Sequence, residues 1–409
     1  MAAVSGSLAL VLAPAVHAAA DVKDPFDFFV ADEYSYDDNL FRVPQNLSLL
    51  DPTQVDVEAL PGRSEDDYIN RLSAGIDLRS DAGRQVFNLG LKFDDVRYQR
   101  NDDLNYRGGS GVLGWDWQVG SHLLGRVTGI YDRTQASFAN YLLFDRDVVE
   151  TSVYGLELRY RIGSRFALLG AGNVASGDHS LAVRRDQNFD GETARAGLEY
   201  RTPSNNLFAL DYRTSRVEFD NVPDFPGVVR RDYDEDAPGV IAKYAFTVKT
   251  SLEARAGFLD RNYLDPAARD YSGETWSLSA SWEPRVQLQF DIKAAHDLRA
   301  YSDAETDYFE VDLLTIAPIW KPTEQLKLTT AFTWEQQDYI GNGLPIGGLS
   351  QPLDGARQDD VQSVKVKLDY SPRDMLAFAV TYQLIERDSN RVLREYENSV
   401  VGFQLKLTF

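Results

Sequence analysis

Six acidic residues are each followed, two positions later, by a basic residue, and this spacing could create a charged wall. The pairs are Asp77/Arg79, Glu157/Arg159, Glu199/Arg201, Asp211/Arg213, Glu253/Arg255 and Asp291/Lys293. Residues two apart in a β-strand point to the same side, so such pairs on adjacent strands could form a lattice of alternating charge. The lattice could stiffen a wall through salt bridges, or it could filter solutes by size and charge.

The chain offers little material for catalysis. It has four histidines and no cysteine, so a thiol nucleophile, a thiolate metal site and a disulfide are all impossible. Residues 178–180, Asp-His-Ser, have the residue types of a hydrolytic triad, but consecutive strand residues point to opposite faces and do not converge. We therefore predict that the protein is not an enzyme, and that residues 178–180 form a polar cluster that stabilises a loop.

Other ligand classes lack their usual signals. No glycine-rich phosphate loop, metal-ligand spacing or nucleotide fingerprint is present, so no cofactor and no metal site are predicted. The net charge of -21 argues against nucleic acid as a partner, since a phosphate backbone requires a basic surface. The acidic runs at 56–67 and 230–237 are predicted to be loops. They are either solvated surface or sites that hold divalent cations together with lipopolysaccharide phosphates.

The end of the chain indicates the kind of element that positions these residues. Odd positions from Val401 to Phe409 are apolar or aromatic, whereas the even positions between them include Gln404, Lys406 and Thr408. One apolar and one polar face, alternating with a period of two, are typical of a membrane-spanning β-strand.

The same alternation recurs along the chain and predicts an all-β fold, a transmembrane up-and-down antiparallel β-barrel. Counting the recurring segments gives about 18 strands, with 16 as the other even number possible. In the segment 308–320, Pro318 is expected to shift the register. Fourteen of these segments are 27–35, 68–79, 84–99, 111–119, 122–138, 148–162, 166–180, 272–282, 286–293, 308–320, 326–335, 360–370, 375–385 and 396–409.

Short and long connections alternate along the chain, as they would in a membrane barrel. Short periplasmic turns are predicted at 80–83, 120–121, 163–165, 202–206, 249–250, 283–285, 321–325 and 371–374. Longer external loops are predicted at 36–67, 139–147, 181–190, 221–237 and 341–359. Short turns on one side of the membrane and long loops on the other are typical of outer-membrane barrels.

Aromatic residues support this orientation. Five of them fall on the apolar face near the ends of strands that would descend to the periplasm, where a girdle at the lipid headgroups is expected. The alternative is core packing in a soluble β protein. The five are Trp117, Tyr160, Tyr200, Trp282 and Tyr370.

The first 20 residues have an apolar core followed by small residues, which predicts a cleaved signal peptide at 1–20 and a single barrel domain at 21–409. No later apolar run reaches 18 residues, so a helical membrane span is excluded. We expect an exported protein of the outer membrane of a Gram-negative bacterium, with lipid and lipopolysaccharide as its surroundings.

Residues 25–44, PFDFFVADEYSYDDNLFRVP, resemble the opening of a known family, most specifically from Tyr36 to Arg42. The family comprises the exosortase-associated outer-membrane β-barrel porins of exopolysaccharide biosynthesis operons. The resemblance implies a pore or channel that takes part in exopolysaccharide biosynthesis or export, with polysaccharide and periplasmic export components as partners. It supplies no catalytic or binding residues. A general diffusion porin and a structural or adhesive surface barrel are the alternatives.

Overall fold

The computed structural model describes residues 25–44, 63–140, 144–220, 230–265, 268–303, 306–340, 356–391 and 394–409. The predicted signal peptide at 1–20 lies outside them. The described residues form eighteen strands. These are β1 (Phe26–Asp37), β2 (Asp67–Ala82), β3 (Gln85–Tyr98), β4 (Tyr106–Val119), β5 (Leu123–Gln135), β6 (Val148–Ile162), β7 (Phe166–His179), β8 (Phe189–Arg201), β9 (Leu207–Phe219), β10 (Tyr233–Thr247), β11 (Thr250–Tyr263), β12 (Tyr271–Arg285), β13 (Leu288–Asp303), β14 (Thr306–Trp320), β15 (Leu326–Ile340), β16 (Gln358–Arg373), β17 (Leu376–Ser389) and β18 (Tyr396–Thr408).

Every strand pairs antiparallel with the strands before and after it, and the sheet closes on itself. Closure is made by β1 and β18, which pair in register from Phe29 opposite Thr408 to Asp37 opposite Val400. A closed sheet leaves no unpaired strand edge, which a membrane-spanning structure requires. The predicted all-β up-and-down barrel is therefore confirmed, with the predicted eighteen strands.

The alternating pattern separates the two faces of the barrel. The outer face exposes large apolar side chains, including Phe93, Leu210, Phe403 and Trp282. The five aromatic residues of the predicted girdle share this face near the short turns, and Trp282 stacks on Phe290 with ring centroids 5.5 Å apart. Serine, threonine and charged side chains occupy the opposite, inner face.

All connections at one end of the barrel, here named the short-turn end, are short. The other end, here named the long-loop end, carries the longer connections, and the connection between β13 and β14, at 304–305, is the exception there. Connections at 163–165, 202–206 and 321–325 coincide with the predicted turns. Gly83 and Gly163 adopt φ of +66° and +64°, a conformation that glycine reaches without steric cost. The predicted turn at 283–285 is wrong, because β12 continues to Arg285 and the chain reverses at 286–287.

Two further expectations need correction. Pro318 does not shift the register: Ile316 faces Phe332 and Ile319 faces Thr329, which keeps one continuous alignment between β14 and β15. Pro318 has no N–H to donate, so it interrupts the ladder only locally. The acidic run at 230–237 is not wholly a loop, since β10 begins at Tyr233. Of the other run, 56–67, only residues from 63 onward are described.

Apolar packing inside the barrel is concentrated at the long-loop end. One cluster joins the segment after β1 to the inner faces of β3 and β4, and a second cluster spans β7 to β14. The first contains Leu40, Phe41, Val43, Val96, Tyr98, Leu104, Tyr106, Phe138 and Val148. Among the described residues, no helix is long and apolar enough to cross a membrane.

Candidate functional site

The inner wall of the barrel is the candidate site, because the twelve charged residues singled out from the sequence all lie on it. The strand registers place each of them on the face opposite the exposed apolar residues. They are Asp77, Arg79, Glu157, Arg159, Glu199, Arg201, Asp211, Arg213, Glu253, Arg255, Asp291 and Lys293. Their side chains therefore line the lumen rather than the lipid surface.

Among the six pairs, an ion pair between the acid and the base two positions later occurs only once. Arg159 lies 3.3 Å from Glu157, and it also donates from Nη2 to Glu199 Oε1 on β8 at 3.0 Å. Arg79 pairs instead with Asp81 at 3.7 Å, and Arg201 donates to the side chain of Asn205. Same-face residues on one strand are about 7 Å apart whereas directly opposed residues are about 5 Å apart, so pairing across strands is favoured.

Ion pairs across strands neutralise three of the remaining charges, those of Asp211, Arg213 and Glu253. Asp211 accepts a hydrogen bond from Arg195 Nε, and Arg213 donates to Glu235 at 2.9 Å. Glu253 pairs with Lys243 on β10 at 2.9 Å. The lattice hypothesis places its contacts between adjacent strands, and these three bridges are contacts of that kind.

Sequence reasoning missed the most deeply buried ionic group of the inner wall. Glu235 is 2% exposed and binds both Arg213 and the fully buried Arg261, whose Nη2 lies 2.7 Å from the carboxylate. The guanidinium of Arg261 also stacks over Tyr233 at 4.1 Å. One face of β10 carries Tyr233, Glu235 and Ala237, and this alternation would have indicated that Glu235 points inward. The surrounding acidic residues, however, favour a loop, so no strand is predicted there.

The segment of residues 38–44, here called the inner strap, narrows the lumen at the long-loop end. Leu40, Phe41 and Val43 pack against the inner face of β3 and β4. The Phe41 ring lies 4.9 Å from the ring of Phe138 in an edge-on arrangement. Arg42 has a φ of +58°, which non-glycine residues rarely adopt, so the turn is strained and must be held by its contacts.

Polar residues of the inner strap fasten the seam between β1 and β18. Asn39 donates from Nδ2 to the carbonyl of Glu397 at 2.9 Å, and Asn398 donates to Asp37 Oδ1 at 2.6 Å. Asp37 also pairs with Arg42 at 2.9 Å. The segment that carried the family resemblance thus has a structural role, because it joins the first strand to the last.

The Asp178–Ser180 run does not assemble a hydrolytic centre. His179 Nδ1 lies 2.7 Å from Asp147, whereas the Ser180 hydroxyl accepts a hydrogen bond from the backbone N–H of Val148 at 2.7 Å. The Asp178 carboxylate instead accepts a hydrogen bond from the side-chain amide of Asn188. The serine is therefore committed to a backbone contact and is not directed at the histidine.

Asp147 is the centre of that polar group. It is 2% exposed and binds Arg184 Nη1 at 2.8 Å, together with the backbone N–H of Leu181 at 3.0 Å. Burial alone would raise the pKa of Asp147, but the hydrogen bonds from His179 and Leu181 and the charge of Arg184 lower it below its ordinary value. The arrangement holds the 3₁₀ helix Ala182–Gln187 against the barrel wall.

No metal site is apparent in the part of the chain that the structure describes. Within those residues, no group of three or more histidine, aspartate or glutamate side chains could hold an ion.

Solved structures similar to this chain are outer-membrane proteins of low sequence identity. The outer membrane protein OpdK from Pseudomonas aeruginosa has a TM-score of 0.47 at 11% identity, over 94% of this chain and 99% of that one. A BenF-like porin from Pseudomonas fluorescens Pf-5 has 0.47 at 9% identity, over 95% and 99%. The siderophore receptor PirA from Pseudomonas aeruginosa has 0.46 at 7% identity, over 94% and 81%.

No curated protein matches the chain by sequence. A protein family does: residues 149–409, from β6 to the last strand, match the family described as Putative beta-barrel porin 2. The match covers more than half of the chain and the strands that carry most of the charged inner wall. The chain therefore belongs to the Putative beta-barrel porin 2 family, and it is a porin-like β-barrel of the outer membrane.

Proposed function

We propose that the barrel is a hydrophilic channel that takes part in passing exopolysaccharide across the outer membrane. The observation that carries the proposal is the character of the inner wall. Hydroxyls meet across strands, as in Thr193 with Ser215 at 3.0 Å and Thr315 with Thr333 at 3.2 Å, and most charges are neutralised by neighbours. A wall of this kind can exchange hydrogen bonds with the hydroxyls of a sugar chain without trapping it.

The link to exopolysaccharide is supported by the resemblance of residues 25–44. The seam contacts of Asp37, Asn39 and Arg42 explain why those residues are needed for a closed barrel, but they are equally compatible with other cargo. The channel and its cargo are therefore separate parts of the proposal and need separate tests.

A deletion strain tests the cargo. Loss of surface polysaccharide, with restoration by the intact gene, is the expected result. Unchanged polysaccharide would contradict the export role. Strain variation is controlled by a complementing copy with Phe28→Ala, since Phe28 lies on the exposed outer face and touches no inner-wall group.

Liposome swelling tests the channel and separates the alternatives. Purified protein should admit small neutral sugars if the lumen conducts. Swelling combined with unchanged surface polysaccharide would favour a general diffusion porin, the function that the family's description suggests. Absence of both effects would favour a structural or adhesive barrel.

We propose transport without catalysis. The sequestered Asp147–His179 pair supports this, because the histidine is 9% exposed in its side chain and, among the described residues, no nucleophile is hydrogen-bonded to it. Any lipid or peptide hydrolysis that the purified protein shows should survive His179→Ala unchanged, as a contaminant's activity would. Loss of such activity in the variant would contradict this part of the proposal.

A further inference from the structure

Two basic residues of the inner wall, Arg255 and Lys293, form no ion pair with the acidic residue two positions before them. Glu253, two positions before Arg255, is held by Lys243 at 2.9 Å. Asp291, two positions before Lys293, accepts hydrogen bonds from the Gln289 amide at 2.9 and 3.0 Å. Neither Arg255 nor Lys293 forms an ion pair with any described residue, and both side chains are exposed to the lumen.

These two cations flank a pair of serines on the strand between them. Arg255 on β11 lies directly opposite Ser277 on β12, and Lys293 on β13 lies directly opposite Ser279. Opposed residues are about 5 Å apart and alternate residues about 7 Å apart, so one solute can reach all four side chains. We name these four residues the anion strip.

Three residues of the anion strip, Arg255, Ser277 and Lys293, line a cavity of the inner wall that has an excess of positive charge. The cavity, of about 270 Å³, is lined by four basic residues and by the carboxylates of Asp211 and Asp297. Its basic residues are Arg195, Arg213, Arg255 and Lys293. Two of them are already neutralised, because Arg195 pairs with Asp211 and Arg213 pairs with Glu235. The remaining positive charges are those of Arg255 and Lys293 in the anion strip, against the single remaining carboxylate of Asp297.

The strip also continues along the lumen. A second cavity of about 520 Å³, toward the short-turn end, shares Lys293 and includes Ser279, Lys243 and Glu253 in its lining. A solute leaving the first cavity would thus meet Lys293 again before it reaches the turns. Successive weak contacts of this kind permit both entry and release.

We propose that the anion strip binds carboxylate or phosphate groups on hydroxyl-rich solutes that pass through the lumen. The guanidinium of Arg255 offers two parallel donors to such a group, Lys293 adds a point charge, and Ser277 and Ser279 donate to the remaining oxygens or to sugar hydroxyls. The low-dielectric protein wall around the lumen focuses the field of these two charges and strengthens the attraction. The inference rests on the proposed channel and gives it a substrate class, acidic saccharides or sugar phosphates rather than neutral ones.

Current block in planar bilayers tests the strip. The probes are trigalacturonate, maltotriose and inorganic phosphate, each added to wild-type protein and to the double variant Arg255→Gln/Lys293→Gln. Trigalacturonate should block the wild type, and the variant should need about tenfold more of it, a change of about 1.4 kcal/mol. Block by inorganic phosphate would support the strip with the anionic group alone as the recognised feature. Maltotriose should act equally on both proteins.

A matched control removes the same number of cations from elsewhere on the inner wall. The control variant is Arg126→Gln/Lys367→Gln. It removes two cations that are paired with carboxylates, Arg126 with Asp116 and Lys367 with Asp369. This control should retain trigalacturonate block within about twofold of the wild type, which is a small free-energy change. Equal weakening in both double variants would overturn the strip, since it would show an effect of overall charge only.

Failure of the strip and failure of the channel give different results. Normal potassium chloride conductance with no preference for trigalacturonate over maltotriose would overturn the strip and leave the channel standing. If the wild type carries no current, equilibrium dialysis of trigalacturonate against detergent-solubilised protein decides: binding lost in Arg255→Gln/Lys293→Gln supports the strip, and absence of binding overturns it. Heat-modifiable mobility on gels verifies that each variant is folded.

Discussion

Three buried carboxylates and the two cations of the anion strip occupy different parts of the barrel. Asp37, Asp147 and Glu235, toward the long-loop end, are each at most 4% exposed and each bind an arginine. An isolated buried carboxylate would cost several kcal/mol, so such residues persist only where donors surround them. Arg255 and Lys293, nearer the short-turn end, face water and need no partner in order to remain charged. The first group stabilises the fold, whereas the second is available to a solute.

Breaking the buried ionic group of Glu235, Arg213 and Arg261 is expected to lower the stability of the fold strongly. Glu235→Gln would leave Arg213 and Arg261 without their shared carboxylate, and Arg261 is fully buried. We expect the free energy of unfolding to fall by about 3–5 kcal/mol. Urea unfolding in lipid vesicles measures it. Glu218→Gln is the matched control, because its pair with Arg216 is exposed and 3.9 Å long, and it should cause no measurable change.

Asp147 should make the neighbouring helical turn sensitive to acid. Its pKa is lowered in the folded state, so the carboxylate contributes stability that is fully present above the unfolded value of about 4 and is lost as pH falls through the folded value. The protection of residues 181–187 against hydrogen exchange, measured relative to the intrinsic rate at each pH, should therefore fall in wild-type protein below about pH 4.

In Asp147→Asn the same residues should exchange rapidly already at neutral pH, and the acid dependence should disappear. Asparagine keeps the shape of the side chain but cannot balance the charge of Arg184. Slow exchange in this variant at pH 7 would show that the carboxylate charge does not hold the 3₁₀ helix in place.

At the scale of strands, the sequence predicts elements best where the outer face touches lipid. The range 148–162 coincides with β6, in which Tyr154, Leu156, Leu158 and Tyr160 are exposed on the outer face. Prediction fails toward the long-loop end, where polar residues occupy both faces. In β10, Asp234 and Asp236 point outward while Glu235 points inward, so the polarity no longer alternates and the segment reads as a loop.

The candidate site was predictable as a set of residues but not as a set of contacts. A period of two is enough to place Glu253 and Arg255 inside a barrel. Their partners depend on the register between strands, which brings Lys243 opposite Glu253 and Ser277 opposite Arg255. Since register is fixed by the whole closed sheet, no local pattern in the sequence could reveal which cations remain unpaired.

The inner strap should open when its apolar anchor is removed. Phe41 is 1% exposed and packs against Phe138 and Phe144, and replacing a buried phenylalanine by alanine typically costs about 3–5 kcal/mol. In Phe41→Ala we expect the strap to detach, so that single-channel conductance rises and trypsin cleaves after Arg42. Wild-type protein should resist this cleavage.

Phe28→Ala serves as the control for the strap, because it removes the same side chain from the outer face, where Phe28 is 53% exposed. It should leave both conductance and trypsin resistance unchanged. If Phe41→Ala also leaves them unchanged, the inner strap does not limit the opening of the lumen.

For the whole molecule, strand length exceeds the thickness of the membrane interior. The strands have 12 to 16 residues. At their usual rise and tilt they span about 30–40 Å, against an apolar band of about 25 Å. The excess lies at the long-loop end, where the outer face carries ion pairs such as Arg133 with Glu150 at 2.8 Å and Arg216 with Asp234 at 2.9 Å. The barrel therefore extends beyond the hydrocarbon on that side.

Single cysteines can verify this placement directly, because the chain contains none of its own. A membrane-impermeant maleimide applied to intact cells should label Glu150→Cys at the long-loop end. It should not label Leu158→Cys, which lies eight positions further along the same face of β6 and within the apolar band. Ser204→Cys, in a short turn, should react only after the outer membrane is permeabilised. Labelling of Ser204→Cys, but not Glu150→Cys, in intact cells would reverse the orientation, and labelling of Leu158→Cys would show that the apolar face is not covered by lipid.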